Sequence, residues 1–119
     1  MRLKVININI WIGGILWEEL LEFLKRENPD ILLTQEIYNG DMRFQKKQFK
    51  SFSELQKELG FEYAAFAPTF EEDSDELSND GKLLRVIQGN AVFSKFSLEE
   101  VATIFYDVPF GGRDPYDAT

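Results

Sequence analysis

The chain has 119 residues and carries 13 Lys and Arg residues against 21 Asp and Glu residues, a formal net charge of −8. It contains neither cysteine nor histidine, which excludes disulfides, thiolate metal sites and every catalytic arrangement that depends on a histidine base. Since 44% of its residues are hydrophobic, the chain is long and apolar enough for one globular domain. Its chemistry must use carboxylate, amide, hydroxyl and basic groups, and we expect a metal ion to assist them.

The negative charge lies in the second half of the chain. Residues 1–61 hold nine acidic and nine basic residues, so the whole net charge belongs to residues 62–119. An acidic chain is a poor non-specific ligand for nucleic acid, although a divalent cation could still hold a phosphate substrate. The N-terminal apolar stretch is interrupted by Asn7 and Asn9 and lacks a small-residue cleavage site. We therefore expect a cytoplasmic protein with no membrane partner.

The first three predicted elements form a βαβ unit. Residues 3–11 alternate with period two, and their nearly continuous apolar content predicts a strand buried on both faces. The helix that follows is expected to end near Glu27, because Pro29 disfavours helical geometry at the residue before it. Residues 31–37 predict a second strand, parallel to the first and joined to it by a right-handed crossover.

A basic segment and a second helix follow. Residues 38–50 predict a loop, and the positive charges of Arg43–Lys50 alternate there with two phenylalanines. This cluster either forms the edge of a site that binds phosphate or nucleic acid, or it is a solvated surface over two core aromatics. The second arrangement is the more common one. The helix is predicted to begin at a capping box of Ser51 and Glu54 and to end at Gly60.

The second half predicts three strands and an acidic loop. Residues 61–67 predict a strand closed by Pro68. The acidic run at 71–81 lacks the ligand order of an EF-hand, so it predicts a flexible solvated loop and not a calcium site. Residues 88–94 and 101–106 predict two further strands that pair antiparallel.

Asn9 and Glu36 are the candidate metal ligands. Each lies at the C-terminal end of a strand of the βαβ unit, and parallel strands place such ends on one rim of the sheet, where open α/β folds bind ligands. A carboxylate and an amide oxygen at this rim suit a hard cation such as Mg²⁺. The alternative is that Asn9 caps a turn and Glu36 is solvated at the end of its strand, and spacing alone leaves both interpretations open.

Five segments, in order along the chain, resemble the endonuclease/exonuclease/phosphatase superfamily, the DNase I-like metal-dependent phosphoesterases. Four of them resemble the opening of that family, and the fifth resembles one of its later strands. The segments are INIWIGG at 8–14, LLEFLK at 20–25, NPDILL at 28–33, QEIY at 35–38 and GNAVFSK at 89–95. Each match is modest alone, but the ordered set is specific.

The resemblance implies an α/β fold, the N-terminal half of a DNase I-like two-sheet α/β sandwich, as one partial domain over residues 1–119. It implies that Glu36 binds the metal, Mg²⁺ or Mn²⁺, and that Asn9 helps to hold both the metal and the phosphate and so has a catalytic role. Asn7, two residues earlier on the same face, is a weaker supporting candidate. Gln35 alternates to the other face of its strand and is expected to be structural.

The chain departs from the family pattern in one large respect. The family's catalytic histidines and its later Asp-bearing strands lie in the second half of its domain, and this chain contains no histidine. A smaller departure is Ile8, where many members have tryptophan.

We therefore expect the N-terminal part of a Mg²⁺-dependent phosphoester hydrolase of nuclease or phosphatase type, inactive without the missing half. The complete protein would act on nucleic acid or a small phosphorylated molecule. The alternative is a non-catalytic relic or interaction module that pairs through its exposed sheet face, because half a sandwich leaves an apolar surface that favours self-association.

Overall fold

The computed structural model describes residues 2–99, which form a four-stranded sheet with two helices on one of its faces. The strands are β1 (Val5–Asn9), β2 (Ile31–Tyr38), β3 (Tyr63–Leu77) and β4 (Leu83–Ser94), and the helices are α1 (Trp17–Glu27) and α2 (Ser51–Leu59). The spatial order is β1-β2-β4-β3, with β1 parallel to β2 and β4 antiparallel to both of its neighbours. This architecture confirms the α/β class and the opening βαβ unit. Neither helix in this part of the chain has the length and apolar content that crossing a membrane requires.

The first helix ends where the sequence predicts. α1 stops at Glu27, and Asn28 takes a left-handed conformation with φ 47° while its N–H donates to the Leu24 carbonyl at 2.9 Å. Pro29 follows, so the helix could not continue in any case.

The prediction that the first strand is buried on both faces is wrong. Ile6 and Ile8 pack towards the helices, whereas Val5, Asn7 and Asn9 on the other face are exposed. The reason is position: β1 lies at an edge of the sheet, and no other element among residues 2–99 covers its second face. Apolar composition alone predicted a central strand.

The core lies between the sheet and the helices. Leu24 of α1 and Leu55 of α2 pack against Leu32 of β2 and Phe93 of β4, and all four side chains are 0% exposed. Burying one such side chain contributes about 1.5 to 3 kcal/mol. Much of the fold's stability therefore resides on the side of the sheet that faces the helices.

The second helix ends at Gly60 as predicted but begins differently. Gly60 has φ 70°, the left-handed conformation that suits a glycine cap. The capping position at the other end is Lys50, not Ser51, and no side chain caps the helix there. The Ser51 hydroxyl instead accepts the main-chain N–H of Tyr38 at 3.0 Å. The predicted capping box is wrong because Ser51 binds a neighbouring strand and not its own helix.

The acidic run is part of a strand, which corrects the prediction of a loop. β3 continues beyond Pro68 and forms a long hairpin with β4, closed by a turn at residues 78–82. Pro68 is tolerated because β3 is an edge strand among the described residues and its register shifts just after the proline. Arg85 of β4 lies opposite the acidic residues and contacts Glu71 at 2.7 Å and Asp73 at 3.0 Å. These cross-strand partners are distant in sequence, so local composition did not indicate a strand.

The basic segment between β2 and α2 covers a second, smaller core. Phe44 and Phe49 are buried there together with Tyr38, Leu84 and Val86. This arrangement favours the interpretation of a solvated surface over two core aromatics.

Two lysines of this segment form surface ion pairs. Lys46 contacts Asp75 at 2.6 Å and Lys47 contacts Glu58 at 3.9 Å. A 3-10 helix, Lys47–Lys50, leads directly into α2. The predicted strand at 88–94 is confirmed within the longer β4, whereas the predicted strand at 101–106 lies outside the described residues.

Candidate metal and phosphate site

Asn9 and Glu36 lie on one cavity at the C-terminal ends of β1 and β2. The cavity has a volume of about 510 Å³ and is lined by Asn9, Gln35, Glu36, Thr69, Phe70, Gln88, Gly89 and Asn90. The two strands are parallel, and Asn9 lies opposite Gln35 in their register. The predicted rim of the sheet therefore holds both candidate residues, and metal binding by them stays a prediction.

A bulge in β2 determines where Glu36 lies. Between Thr34 and Ile37 the register of β2 against β4 shifts by one residue, so Gln35 and Glu36 together face Asn90. Glu36 has φ 57°, a left-handed conformation that is uncommon for a residue other than glycine. The regular alternation of a strand fails at this point. Gln35 consequently lines the same cavity as Glu36, which corrects the expectation that it faces the other way.

Main-chain N–H groups of the turn after β1 donate to both candidate side chains. Asn9 Oδ1 accepts the N–H of Trp11 at 2.8 Å, which is the turn cap that the alternative interpretation of Asn9 expected. Glu36 Oε1 accepts the N–H of Ile12 at 3.4 Å, a long and weak hydrogen bond. Carboxylate and amide oxygens have more than one acceptor position, so both groups keep acceptor capacity.

Asn7 contacts the site indirectly. Its Oδ1 accepts the Gln35 side-chain amide at 2.6 Å, so the two amides support each other across β1 and β2. Asn7 and Gln35 also line a neighbouring cavity of about 350 Å³ on the open face of the sheet, where Leu33 and Val92 supply apolar surface. Asn7 thus reaches the candidate site through Gln35.

A half-buried polar network lies beside the cavity and was not identified from the sequence. The Tyr38 hydroxyl donates to the Glu72 carboxylate, and Gln88 Nε2 donates to the Tyr38 hydroxyl at 3.1 Å and to Glu72 at 3.2 Å. Burial, together with the contact to Glu72, raises the pKa of Tyr38 well above its ordinary value, so the phenol stays neutral. These residues belong to three different strands, and only their pairing brings them together.

Asn90 is a further lining residue to which sequence reasoning assigned no role. It is exposed, faces the bulge and borders both the site cavity and the cavity on the open face. The segment 89–95 was recognised for its resemblance alone. Asn90 lies in a strand that pairs with the segment carrying Glu36, and that pairing, which the sequence does not show, is the signal that indicates it.

The side chains around this cavity fit a magnesium ion that is held by few protein ligands. Among residues 2–99 no three Asp, Glu, His or Cys side chains converge on one point, and Glu36 supplies the carboxylate of the cavity. Asn9, Gln35 and Asn90 line the same space, and each carries a side-chain amide. Mg²⁺ is commonly bound through one or two carboxylates and keeps several of its waters. The donor set is therefore of the kind that this cation takes, and it would supply part of its coordination.

Comparison with known proteins identifies a similar fold. Neither family models nor curated proteins gave a match to this chain. A solved structure, the endonuclease/exonuclease/phosphatase from Beutenbergia cavernae DSM 12333, superimposes with a TM-score of 0.54 at 20% sequence identity over 78% of this chain. The chain spans about a quarter of the length of that protein, 26%. The likeness shows that the sheet and its helices are similar to the DNase I-like fold of an endonuclease/exonuclease/phosphatase.

Proposed function

We propose that the chain is the N-terminal part of a Mg²⁺-dependent phosphoester hydrolase of nuclease or phosphatase type. The observation that carries the proposal is the shared cavity of Asn9 and Glu36 at the rim of the sheet. The similarity of the fold to an endonuclease/exonuclease/phosphatase structure supports it. In this proposal Glu36 binds the cation, Mg²⁺ or Mn²⁺, and Asn9 contributes a neutral amide towards the cation and a phosphate oxygen.

The cation, when bound, would supply positive charge against the developing charge of the phosphate and lower the pKa of a bound water. The residues of this chain contribute ligands and positioning. Glu36 is half-buried at the rim, where the lower dielectric strengthens its attraction for a cation. The chain contains no histidine, so we propose that the general base comes from a further part of the protein and that this chain alone is inactive.

The net negative charge of the chain bears on which class of phosphoester we propose as the substrate. The excess of acidic residues disfavours the extended phosphate contacts that bulk nucleic acid requires. Two of the basic side chains near the acidic hairpin, Lys46 and Arg85, already contact carboxylates. The proposal therefore favours a smaller phosphoester over bulk DNA as the substrate.

The test is substitution of Glu36 in a protein that includes the C-terminal continuation. Glu36→Gln removes the negative charge and keeps the shape of the side chain, so we expect Mg²⁺-dependent cleavage of p-nitrophenyl phosphate esters to fall by about 100-fold or more. Glu22→Gln, on the exposed face of α1, is the matched control and should leave the rate unchanged. Activity retained by Glu36→Gln would contradict the proposal.

A second candidate function is a non-catalytic module that pairs through the open face of the sheet. The observation in its favour is that Val5 is 53% exposed on this face, which also carries the cavity lined by Leu33 and Val92. Light scattering after size-exclusion chromatography tests it: the module should be dimeric, and Val5→Lys should make it monomeric. A folded wild-type monomer would argue against this function.

A further inference from the structure

We infer that the turn between β1 and α1, residues 11–14, is a clamp that positions the Glu36 carboxylate, and that Gln48 holds this clamp in place. The inference rests on the proposed function, because it treats Glu36 as a cation ligand. It adds to that function a residue that lies outside the cavity and acts through the main chain of the turn.

The clamp contacts the candidate ligands through consecutive main-chain groups. The N–H of Trp11 donates to Asn9 Oδ1 at 2.8 Å, and the N–H of Ile12 donates to Glu36 Oε1 at 3.4 Å. The N–H of Gly13 donates to the Glu36 main-chain carbonyl at 2.7 Å. The turn therefore holds the backbone of Glu36 through a short hydrogen bond and contacts its carboxylate through a longer one.

The conformation of the clamp is unfavourable without support. Trp11 and Ile12 have φ values of 59° and 49°, followed by Gly13 at 71° and Gly14 at 90°. A left-handed conformation is disfavoured for L-residues and most of all for a β-branched side chain such as that of Ile12. Such residues keep their conformation only where the surrounding structure determines it.

Gln48 provides this support from the 3-10 helix. Its Nε2 donates to the Ile12 main-chain carbonyl at 2.8 Å, across 36 residues of sequence. The same peptide unit donates to Glu36 through the N–H of Gly13. The peptide bond between Ile12 and Gly13 is therefore hydrogen-bonded at both ends, by Gln48 at its carbonyl and by Glu36 at its N–H. A hydrogen bond at the carbonyl also polarises the N–H of the same peptide unit.

The main chain of the 3-10 helix also presses against the turn. A Cβ atom built on Gly13 would lie 2.3 Å from the Gln48 carbonyl oxygen and 2.3 Å from the Tyr38 ring. At Gly13 the turn is therefore closely packed between the 3-10 helix and β2. Loss of the Gln48 side-chain bond would allow the strained peptide to rotate and withdraw from Glu36.

The experiment compares Gln48→Met with Gln45→Met in the full chain. Methionine keeps the length of glutamine but cannot donate a hydrogen bond, and Gln45 is an exposed residue of the same segment whose side chain does not contact the turn. We measure Mn²⁺ affinity by electron paramagnetic resonance, the amide NMR signals of Ile12 and Gly13 without metal, and the melting temperature. Gln48→Met should weaken Mn²⁺ binding about 10-fold, as changes to ligand-orienting groups typically do. It should also shift both amide signals, with little change in melting temperature, and Gln45→Met should change none of the three.

Two readouts separate this inference from the proposed function. If wild-type protein and Glu36→Gln bind Mn²⁺ equally weakly, the proposed cation site fails, and the metal-free amide signals alone decide whether Gln48 positions the turn and Glu36. If Gln48→Met leaves those amide signals and the main-chain signals of Glu36 unchanged, the inference is overturned. Unchanged Mn²⁺ affinity in Gln48→Met, beside a clear loss in Glu36→Gln, would also overturn it.

Discussion

The hydroxyl group of Tyr38 donates a hydrogen bond to the carboxylate of Glu72, and this contact ties the end of β2 to the acidic part of β3. Gln88 of β4 donates to both groups, so three strands meet in one small network. Tyr38 is 3% exposed and lies two residues after Glu36. The network therefore anchors the strand that carries the candidate metal ligand.

The first prediction concerns the stability that this hydrogen bond provides. Tyr38→Phe removes the hydroxyl and leaves the Glu72 carboxylate with one donor fewer, so we expect the free energy of unfolding to fall by about 1 to 2 kcal/mol. Urea denaturation at neutral pH measures the change. Tyr63→Phe is the matched control, because the Tyr63 hydroxyl makes no hydrogen bond to the described residues, and it should cost less. Equal losses in the two variants would contradict the prediction.

Because of Tyr38, we also expect the stability of the folded protein to depend on pH in alkaline solution. Burial raises the pKa of Tyr38 above its ordinary value of 10.0. The folded protein therefore retains the phenolic proton at a pH where the unfolded chain has lost it. The stability from Tyr38 is fully present below pH 10 and is lost as the pH rises through the raised folded value. The stability difference between wild type and Tyr38→Phe should narrow above pH 10, and a constant difference would refute this assignment.

The second prediction separates backbone strain from steric clash at two glycines. Gly13 and Gly60 have φ values of 71° and 70°, but a Cβ at Gly13 would lie 2.3 Å from other atoms, whereas nothing lies within 4 Å at Gly60. Gly60→Ala should therefore cost about 1 to 2 kcal/mol of unfolding free energy, from the left-handed conformation alone. Gly13→Ala adds the clash and should cost clearly more in the same urea experiment. Similar costs would show that the turn can relax around a side chain.

The third prediction concerns Asp30, which joins the starts of β1 and β2 to the end of β4. The main-chain N–H of Lys4 donates to its carboxylate at 2.8 Å and lowers the pKa of Asp30 below its ordinary value of 3.8, with a further contribution from Lys95. The stability from this carboxylate is present above pH 3.8 and is lost as the pH falls through the lowered folded value. Asp30→Asn should therefore be less stable than wild type at neutral pH and should approach it in acid.

Thermal unfolding followed by circular dichroism across the acidic range measures this convergence. Glu22→Gln, the same change of carboxylate to amide on an exposed face of α1, should track the wild-type curve throughout. If Asp30→Asn kept its full deficit in acid, its effect would be steric and not electrostatic.

The fourth prediction concerns Glu76, which holds the basic segment against the hairpin. Its two carboxylate oxygens accept the main-chain N–H groups of Gln45 at 2.7 Å and of Lys46 at 2.9 Å. Glu76→Gln keeps one acceptor oxygen and removes the other, so hydrogen exchange at these amides should accelerate and stability should fall by about 1 kcal/mol.

Asp75→Asn is the neighbouring control for Glu76. It removes an exposed ion pair with the Lys46 ammonium group, and exposed pairs contribute little. The amides of residues 45 and 46 should exchange at the wild-type rate in this variant. Faster exchange in both variants would indicate that the charge of the hairpin, and not the Glu76 contact, holds the segment.

The parts of the fold that were predicted correctly depend on local signals. The end of α1 follows from Pro29, and the end of α2 follows from Gly60. The parallel pairing of β1 with β2 follows from the βαβ pattern, because two strands joined by one helix in this way lie parallel in the same sheet. The capping box failed because the Ser51 hydroxyl had a competing partner on a strand that the sequence does not place beside it.

In the candidate site, too, some features follow from local sequence and others only from the tertiary structure. Placing Asn9 and Glu36 on one rim needed only the direction of two strands. Placing Gln35 in the same cavity needed the bulge, and the bulge depends on how β2 aligns with β4, which lies far along the chain. The network of Tyr38, Glu72 and Gln88 depends on that alignment as well.

The sequence by itself determined that this short acidic chain without histidine is an α/β domain with an amide and a carboxylate at adjacent strand ends. Periodicity, glycine and proline act over a few residues, so these features can be predicted locally. The tertiary structure alone decided that the acidic run forms a strand, because Arg85 and the buried side of the hairpin stabilise it from a distance. It also decided the left-handed conformations of Glu36 and of the turn that holds it, since contacts with Gln48 and β4 offset strain that local propensity opposes.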